Sequence, residues 1–171
     1  MNRIKGIGLS LLAVGVIACG EPGDPESTVG PALASSTSAT LVECPTDVAY
    51  STTGTVLPLG GSVSFRGHSV TAPSGAVVLP TDISIAEPAS QYMLVDFRAN
   101  GQEHFQFHAP LTVTISYARC SRANIDKAPL SVWHVDPATG ELLQNMGGVD
   151  DKQARTITFQ TDHFSGYAIA N

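Results

Sequence analysis

Few residues in this sequence are of types and spacings that can do chemistry. His163 and Ser165 flank Phe164. Two positions apart on a strand they share a face, so a base and a hydroxyl can be set side by side. The simpler expectation is a core phenylalanine, with His163 and Ser165 satisfying backbone groups at a strand start. His104-Phe105-Gln106-Phe107-His108 alternates imidazoles and an amide with two rings. On a strand, His104 and His108 lie about 13 Å apart on one face, too far for one metal ion without bending. Glu103 and Asp96 could add ligands, but no spacing requires it. A wet face opposite a core face is expected there, with no metal. Asp136, Asp150, Asp151 and Asp162 sit at expected turns. None belongs to a twelve-residue calcium loop, so turn stabilisation is their expected role. Ser64, Ser69 and Ser74 lie near His68, but no G-x-S-x-G elbow is present. The single Trp133 alternates with His134 and is expected to plug the core. No constellation here marks a confident catalytic residue or calls for a cofactor.

The elements that must carry these residues come from a chain of 171 residues, 43% hydrophobic and 14% charged, enough for one domain with a core. Gly 16 and Pro 11 punctuate it heavily, against long helices. Nine basic against fifteen acidic side chains give a formal −6, which excludes a phosphate-backbone binder with a basic face; no nucleic-acid partner is expected.

Arg3 and Lys5 precede an apolar stretch from Ile7 to Ile17. It is far shorter than the ~20 residues that span a bilayer. A positive start, a short apolar middle and small residues at the exit describe a secretory signal peptide over residues 1–18. The exit, Val16-Ile17-Ala18-Cys19, resembles the lipobox of bacterial lipoproteins. The resemblance implies cleavage after Ala18 and covalent lipid, palmitate included, on Cys19. The partner is then a membrane, reached through acyl chains that each add about 0.8 kcal/mol per buried methylene. Gly20 in place of aspartate implies an outer-membrane address if the cell has two membranes. Removing residues 1–18 leaves 153 residues at a formal −8, so the lipid must do the anchoring. Residues 19–43 then comprise the lipidated cysteine and a tether. The stretch GEPGDPESTVGPALASSTSAT cannot bury enough apolar area to offset its ordering entropy.

Cys44 and Cys120 remain, an even pair in an exported chain, and are expected to form a disulfide. The bridge would close a loop of about 75 residues, worth roughly 4–5 kcal/mol in the chain-entropy picture.

Residues 44–171 read as strands. Ser62 to Phe65, Ala76 to Leu79, Ile83 to Ile85, Gln91 to Ala99, Leu111 to Tyr117, Leu130 to Val135, Glu141 to Gln144, Arg155 to Phe159 and Tyr167 to Ile169 are short, β-branched or alternating runs between turn residues. Asp136-Pro137-Ala138-Thr139-Gly140 closes a hairpin. About eight strands and no long amphipathic helix predict an antiparallel β-sandwich.

Gly60-Gly61, then Ala72-Pro73-Ser74-Gly75-Ala76, then Phe107-His108-Ala109-Pro110 leading into Leu111 to Ile115, appear in an order that resembles the module named for zonula occludens proteins, netrin receptors and ankyrins. The ending His163-Phe164-Ser165-Gly166-Tyr167-Ala168 is similar to that of bacterial lipoproteins carrying a version of the module. The resemblance covers roughly residues 58–171. It implies a β-sandwich that acts as an interaction module. Certain relatives cut themselves at a His-Phe-Ser tripeptide. That implies a mechanism in which Ser165 Oγ attacks the Phe164 carbonyl and His163 takes the proton; an ester forms, which water opens. Gly166 departs from the bulky continuation of cleaved relatives. The expected function is therefore a non-enzymatic, lipid-anchored binding or structural module of the cell envelope, with an unidentified envelope protein or glycan as partner. The alternatives are self-processing at Phe164–Ser165 and a small calcium- or carbohydrate-binding domain.

Overall fold

The computed structural model describes residues 39–126, 128–136 and 139–171. The expected signal peptide, Cys19 and the tether up to residue 38 lie outside the described residues, as do Pro137 and Ala138 of the hairpin turn. The described strands are β1 (Glu43–Thr46), β2 (Tyr50–Val56), β3 (Gly61–Phe65), β4 (His68–Ala72), β5 (Thr81–Glu87), β6 (Ser90–Tyr92), β7 (Leu94–Ala99), β8 (Gln106–Ser116), β9 (Ser131–Val135), β10 (Leu142–Gly147), β11 (Val149–Asp151), β12 (Thr156–His163) and β13 (Gly166–Ala170). One helical turn, α1 (Arg122–Ile125), follows β8. Among the described residues no helix is long and apolar enough to cross a membrane.

All strand pairs are antiparallel. One sheet has the order β10-β9-β13-β7-β5-β2, the other β11-β12-β8-β4-β3, and β1 pairs with β6 beside them. This is the β-sandwich that the alternating runs predict. Period-two patterning builds the core: Ile83 and Ile85 of β5, Val95 and Phe97 of β7, and Leu111, Val113 and Ile115 of β8 all turn inward and are buried. Phe97, Phe107, Phe159, Phe164 and Tyr167 meet as edge-on or tilted rings 4.7–5.9 Å apart at the centre.

Thirteen described strands exceed the eight or so expected, for local reasons. Met93 interrupts the Gln91 to Ala99 run. Its amide bonds the Val42 carbonyl and its carbonyl accepts from Ile169, so the run becomes β6 and β7. Gly147 (φ +69°) and Gly148 (φ +119°) part β10 from β11. β1 and β2 consist largely of polar and small residues, without the apolar alternation that marks strands. The reverse error is Ala76 to Leu79, expected as a strand. Residues 73–80 form a loop, because Pro73 and Pro80 bracket them and Gly75 (φ +82°) donates to the Pro58 carbonyl across to the next turn rather than to a ladder. Trp133 is also not a core plug. It is half-buried on the outward face of β9, with Nε1–H donating to Ser131 Oγ at 3.0 Å, while Val132 points into the core. The folded part starts earlier than Cys44: Thr40 and Asn171 exchange backbone hydrogen bonds and Val42 is buried. β9 and β10 pair as the expected hairpin, with Leu142 opposite Val135 and Gly140 at φ +73°.

The registers define two ends of the sandwich. At one, Tyr50 lies opposite Glu87, and Ser116 opposite Thr156. Cys44 and Cys120 are joined there by the expected disulfide, and this end is called the disulfide pole. At the other end, the loop pole, Leu57 to Gly60 and residues 73–80 turn the chain.

Candidate functional site

A two-residue turn begins the site. Arg66 (φ +51°) and Gly67 (φ +88°) join β3 to β4 in the mirror-image geometry that tight hairpins favour. Position 67 must be glycine for a second reason: a Cβ there would stand 2.9 Å from Ser116 Cβ. The turn sends Arg66 outward and, because residues 68, 70 and 72 face the core, sends His68 inward. In β5 the same parity carries on from Thr81, Ile83 and Ile85 to Glu87, which is only 2% exposed. His68 and Glu87 belong to opposite sheets and meet inside the disulfide pole.

His68 Nε2 and Glu87 Oε1 are 2.7 Å apart, and Ser116 N–H donates to His68 Nδ1 at 3.1 Å. A ring nitrogen that accepts from an amide cannot itself carry a proton, so the proton sits on Nε2 and is donated to Glu87. Burial pulls the His68 pKa below its ordinary value, against the pull of Glu87, so the ring is neutral. Two guanidiniums balance the carboxylate. Arg66 Nε donates to Glu87 Oε1 at 3.3 Å, and its Cζ lies 4.0 Å over the Tyr50 ring. Arg119 Nε approaches Glu87 Oε2 at 3.3 Å. That approach lacks hydrogen-bond alignment, and Glu87 Oε2, Arg119 Nε and Arg119 Nη2 are buried without a hydrogen-bond partner. Arg119 Nη1 donates to the Cys44 carbonyl, which ties the site to the disulfide.

Arg66, Glu87, Ser116, Ala118 and Arg119 line an open cleft of about 300 Å³. Counting His68 as neutral, the cluster carries two positive charges and one negative in a protein that is acidic as a whole. Such a cleft can bind and orient an anion. Among the described residues no hydrogen bond joins the Ser116 hydroxyl to the His68 ring; Ser116 Oγ accepts from Ala118 N–H at 3.3 Å.

His68 entered the sequence reading only as a neighbour of serines. Ser64 and Ser69 pair across β3 and β4, and no hydrogen bond joins any of Ser64, Ser69 and Ser74 to the His68 ring. Arg66, Glu87 and Arg119 were missed. Extending the β5 alternation by one step marks Glu87 as core-facing; the arginines have no comparable signal.

Around the His-Phe-Ser segment, between β12 and β13, Phe164 and Ser165 are buried. His163 Nδ1 bonds Asp162 Oδ1 at 3.0 Å, and this contact holds the Asp162 carboxyl below its usual range. The His163 carbonyl accepts from Tyr167 Oη–H at 2.9 Å and Thr161 Oγ1–H at 2.8 Å. Ser165 Oγ reaches the Gly166 carbonyl at 3.5 Å, and no hydrogen bond links it to the His163 ring. His104, Gln106 and His108 are exposed while Phe107 is buried, the wet and dry faces expected. Asp136 and Asp151 accept turn amides as expected. Asp150 instead accepts from Tyr117 Oη–H at 2.5 Å and pairs with Lys152. Burial first, and the Asp150 carboxylate second, push the Tyr117 hydroxyl pKa far up. Among the described residues no three His, Cys, Asp or Glu side chains are grouped to hold a metal ion. Neither a protein-family model nor any curated protein matches this sequence.

Proposed function

We propose that this chain is a non-enzymatic binding module of the bacterial cell envelope, tethered to a membrane by lipid on Cys19, with the cleft at the disulfide pole as its recognition site. The observation that carries the reading is the core-buried Glu87 set between Arg66 and Arg119, with Arg119 Nη2 lacking a protein acceptor beside an open cleft. A sandwich has no packing need for such a cluster, and each buried unpaired donor costs about 1–3 kcal/mol. The order of Gly60-Gly61, Pro73-Ser74-Gly75-Ala76 and Phe107 to Pro110 supports an interaction module of the zonula occludens, netrin receptor and ankyrin kind. The lipobox-like Val16-Ile17-Ala18-Cys19 supports the envelope address, an outer membrane where there are two. The test is co-sedimentation of the purified domain with envelope fragments, beside an Arg66→Gln variant. Wild type is expected in the pellet and the variant largely in the supernatant. Equal retention of both removes the cleft as the recognition site.

A further inference from the structure

We propose that the cleft takes a carboxylate-bearing ligand, the carboxylate pairing with the unused guanidinium edge of Arg66 while the Arg119 charge stands behind it; this rests on the binding-module reading above and names its ligand class. Arg66 spends Nε on Glu87 and sets Cζ 4.0 Å over the Tyr50 ring, and among the described residues neither of its Nη groups has a protein acceptor. Arg119 spends Nη1 on the Cys44 carbonyl, leaving Nη2–H unpaired and buried. Arg66 thus offers unused donors at the wall of the cleft and Arg119 a buried charge behind it, and the one carboxylate between them neutralises only one charge. His68 does not add to the positive charge, because its Nδ1 is held as an acceptor by Ser116 N–H.

A planar monoanion with two acceptor oxygens meets this demand, since guanidinium and carboxylate match edge to edge. Its single negative charge balances the excess. A dianion such as phosphate would overcompensate close to the buried Glu87. A cleft of about 300 Å³ sits at the small end of ligand sites, fitting a chain terminus or one acidic sugar ring rather than an extended ligand. Both a peptide C-terminus and a uronic acid supply that head group.

The experiment is nitrogen-edited NMR of the whole secreted domain. It follows the Arg66 and Arg119 side-chain N–H signals and the Ser116 and Ala118 amides during titration. The probes are N-acetyl-alanyl-alanine and glucuronate, with the peptide amide, glucose, sulfate and inorganic phosphate as controls. One or both carboxylates are expected to shift these four sites at millimolar concentration, and which one does so identifies the source. The amide and glucose are expected to shift none. Arg66→Gln, at a half-exposed turn position, is expected to weaken binding by about tenfold. Arg98→Gln, outside the cleft, is expected to leave it unchanged. Circular dichroism confirms that both variants fold. If sulfate or phosphate binds as tightly as the carboxylates, or a neutral probe binds in their place, the carboxylate assignment falls while the cleft survives as a site. If no probe moves these signals, the carboxylate assignment falls; equal envelope retention of Arg66→Gln and wild type would then remove the cleft as well.

Discussion

The two poles of the sandwich close the same architecture by different means. The disulfide pole gathers five of the six basic residues in the described part of the chain, namely Arg66, Arg119, Arg122, Lys152 and Arg155, with Glu87 and Asp150 among them. Its two cysteine carbonyls each accept from an arginine, Cys44 from Arg119 and Cys120 from Arg155. The loop pole carries no charge in the turn from Val56 to Gly61 or in the loop from Ala72 to Thr81. It is held by backbone bonds, Gly60 N–H to Leu57 O and Gly75 N–H to Pro58 O, each at 2.8 Å. Its side chains stand in solvent: Leu57 is 50% exposed, Leu59 87%, Val78 69% and Leu79 70%. A β-sandwich end needs only its backbone groups satisfied to be stable. The loop pole does that with proline and glycine, so the buried charges of the opposite pole exceed what closing an end requires. That excess is the ground for placing the proposed recognition site at the disulfide pole.

Removing the covalent part of the contrast has the largest expected effect. Replacing both Cys44 and Cys120 with alanine frees a loop spanning 76 residues in the unfolded chain. The expected loss is about 4 kcal/mol in a denaturant titration. A loss near zero would mean the charged network alone closes that end. Next comes Glu87→Leu, which leaves the His68 N–H and two guanidiniums without their counter-charge. Breaking one partner out of such a buried cluster is expected to cost about 3 kcal/mol. Full stability in that variant would show that the carboxylate is not needed for folding.

The pH dependence sharpens the same contrast with a smaller effect. Burial lowers the His68 pKa in the folded state, so the unfolded chain, near 6.5, binds the proton more readily. The contribution of His68 is complete above 6.5 and is lost as pH falls below it toward the folded value. His134, lowered by its own burial and by the neighbouring His163 and His104, acts in the same direction. Asp162, held below its ordinary 3.8 by His163, loses its contribution only in a separate, more acid window. Melting temperature is therefore expected to fall between about pH 7.5 and about pH 5.5, and His68→Asn to flatten much of that slope. An unchanged slope in that variant would assign the dependence to His134 instead.

Much of the fold was legible in the sequence because burial follows strand parity. Met93, Val95 and Phe97 turn inward as their alternation says, and Leu111 to Ser116 lies within one strand, β8, which ends one residue before Tyr117. Val78 and Leu79 misled because hydrophobicity alone does not say that two prolines and Gly75 have spent the segment's backbone bonds elsewhere. Trp133 misled because residue type was weighed over parity: Val132, next to it, already claimed the inward face. The site was mostly illegible. Glu87 follows from parity, yet its meeting with His68 crosses from one sheet to the other, and Arg119 arrives from a segment after β8. Contacts between layers depend on topology, which no local pattern encodes.

The smallest expected effect tests the other half of the comparison. Leu59 and Leu79 bury little, so exchanging both for serine removes almost no packed area. The positive φ at Gly60 and the Gly75–Pro58 bond involve only backbone and survive the exchange. The double variant is expected to stay within about 0.5 kcal/mol of wild type by denaturant titration. It is also expected to retain full binding to envelope fragments, because the cleft lies at the far end of the strands. Unchanged stability with lost retention would move recognition to the loop pole, where the exposed Leu59 and Leu79 would become the contact.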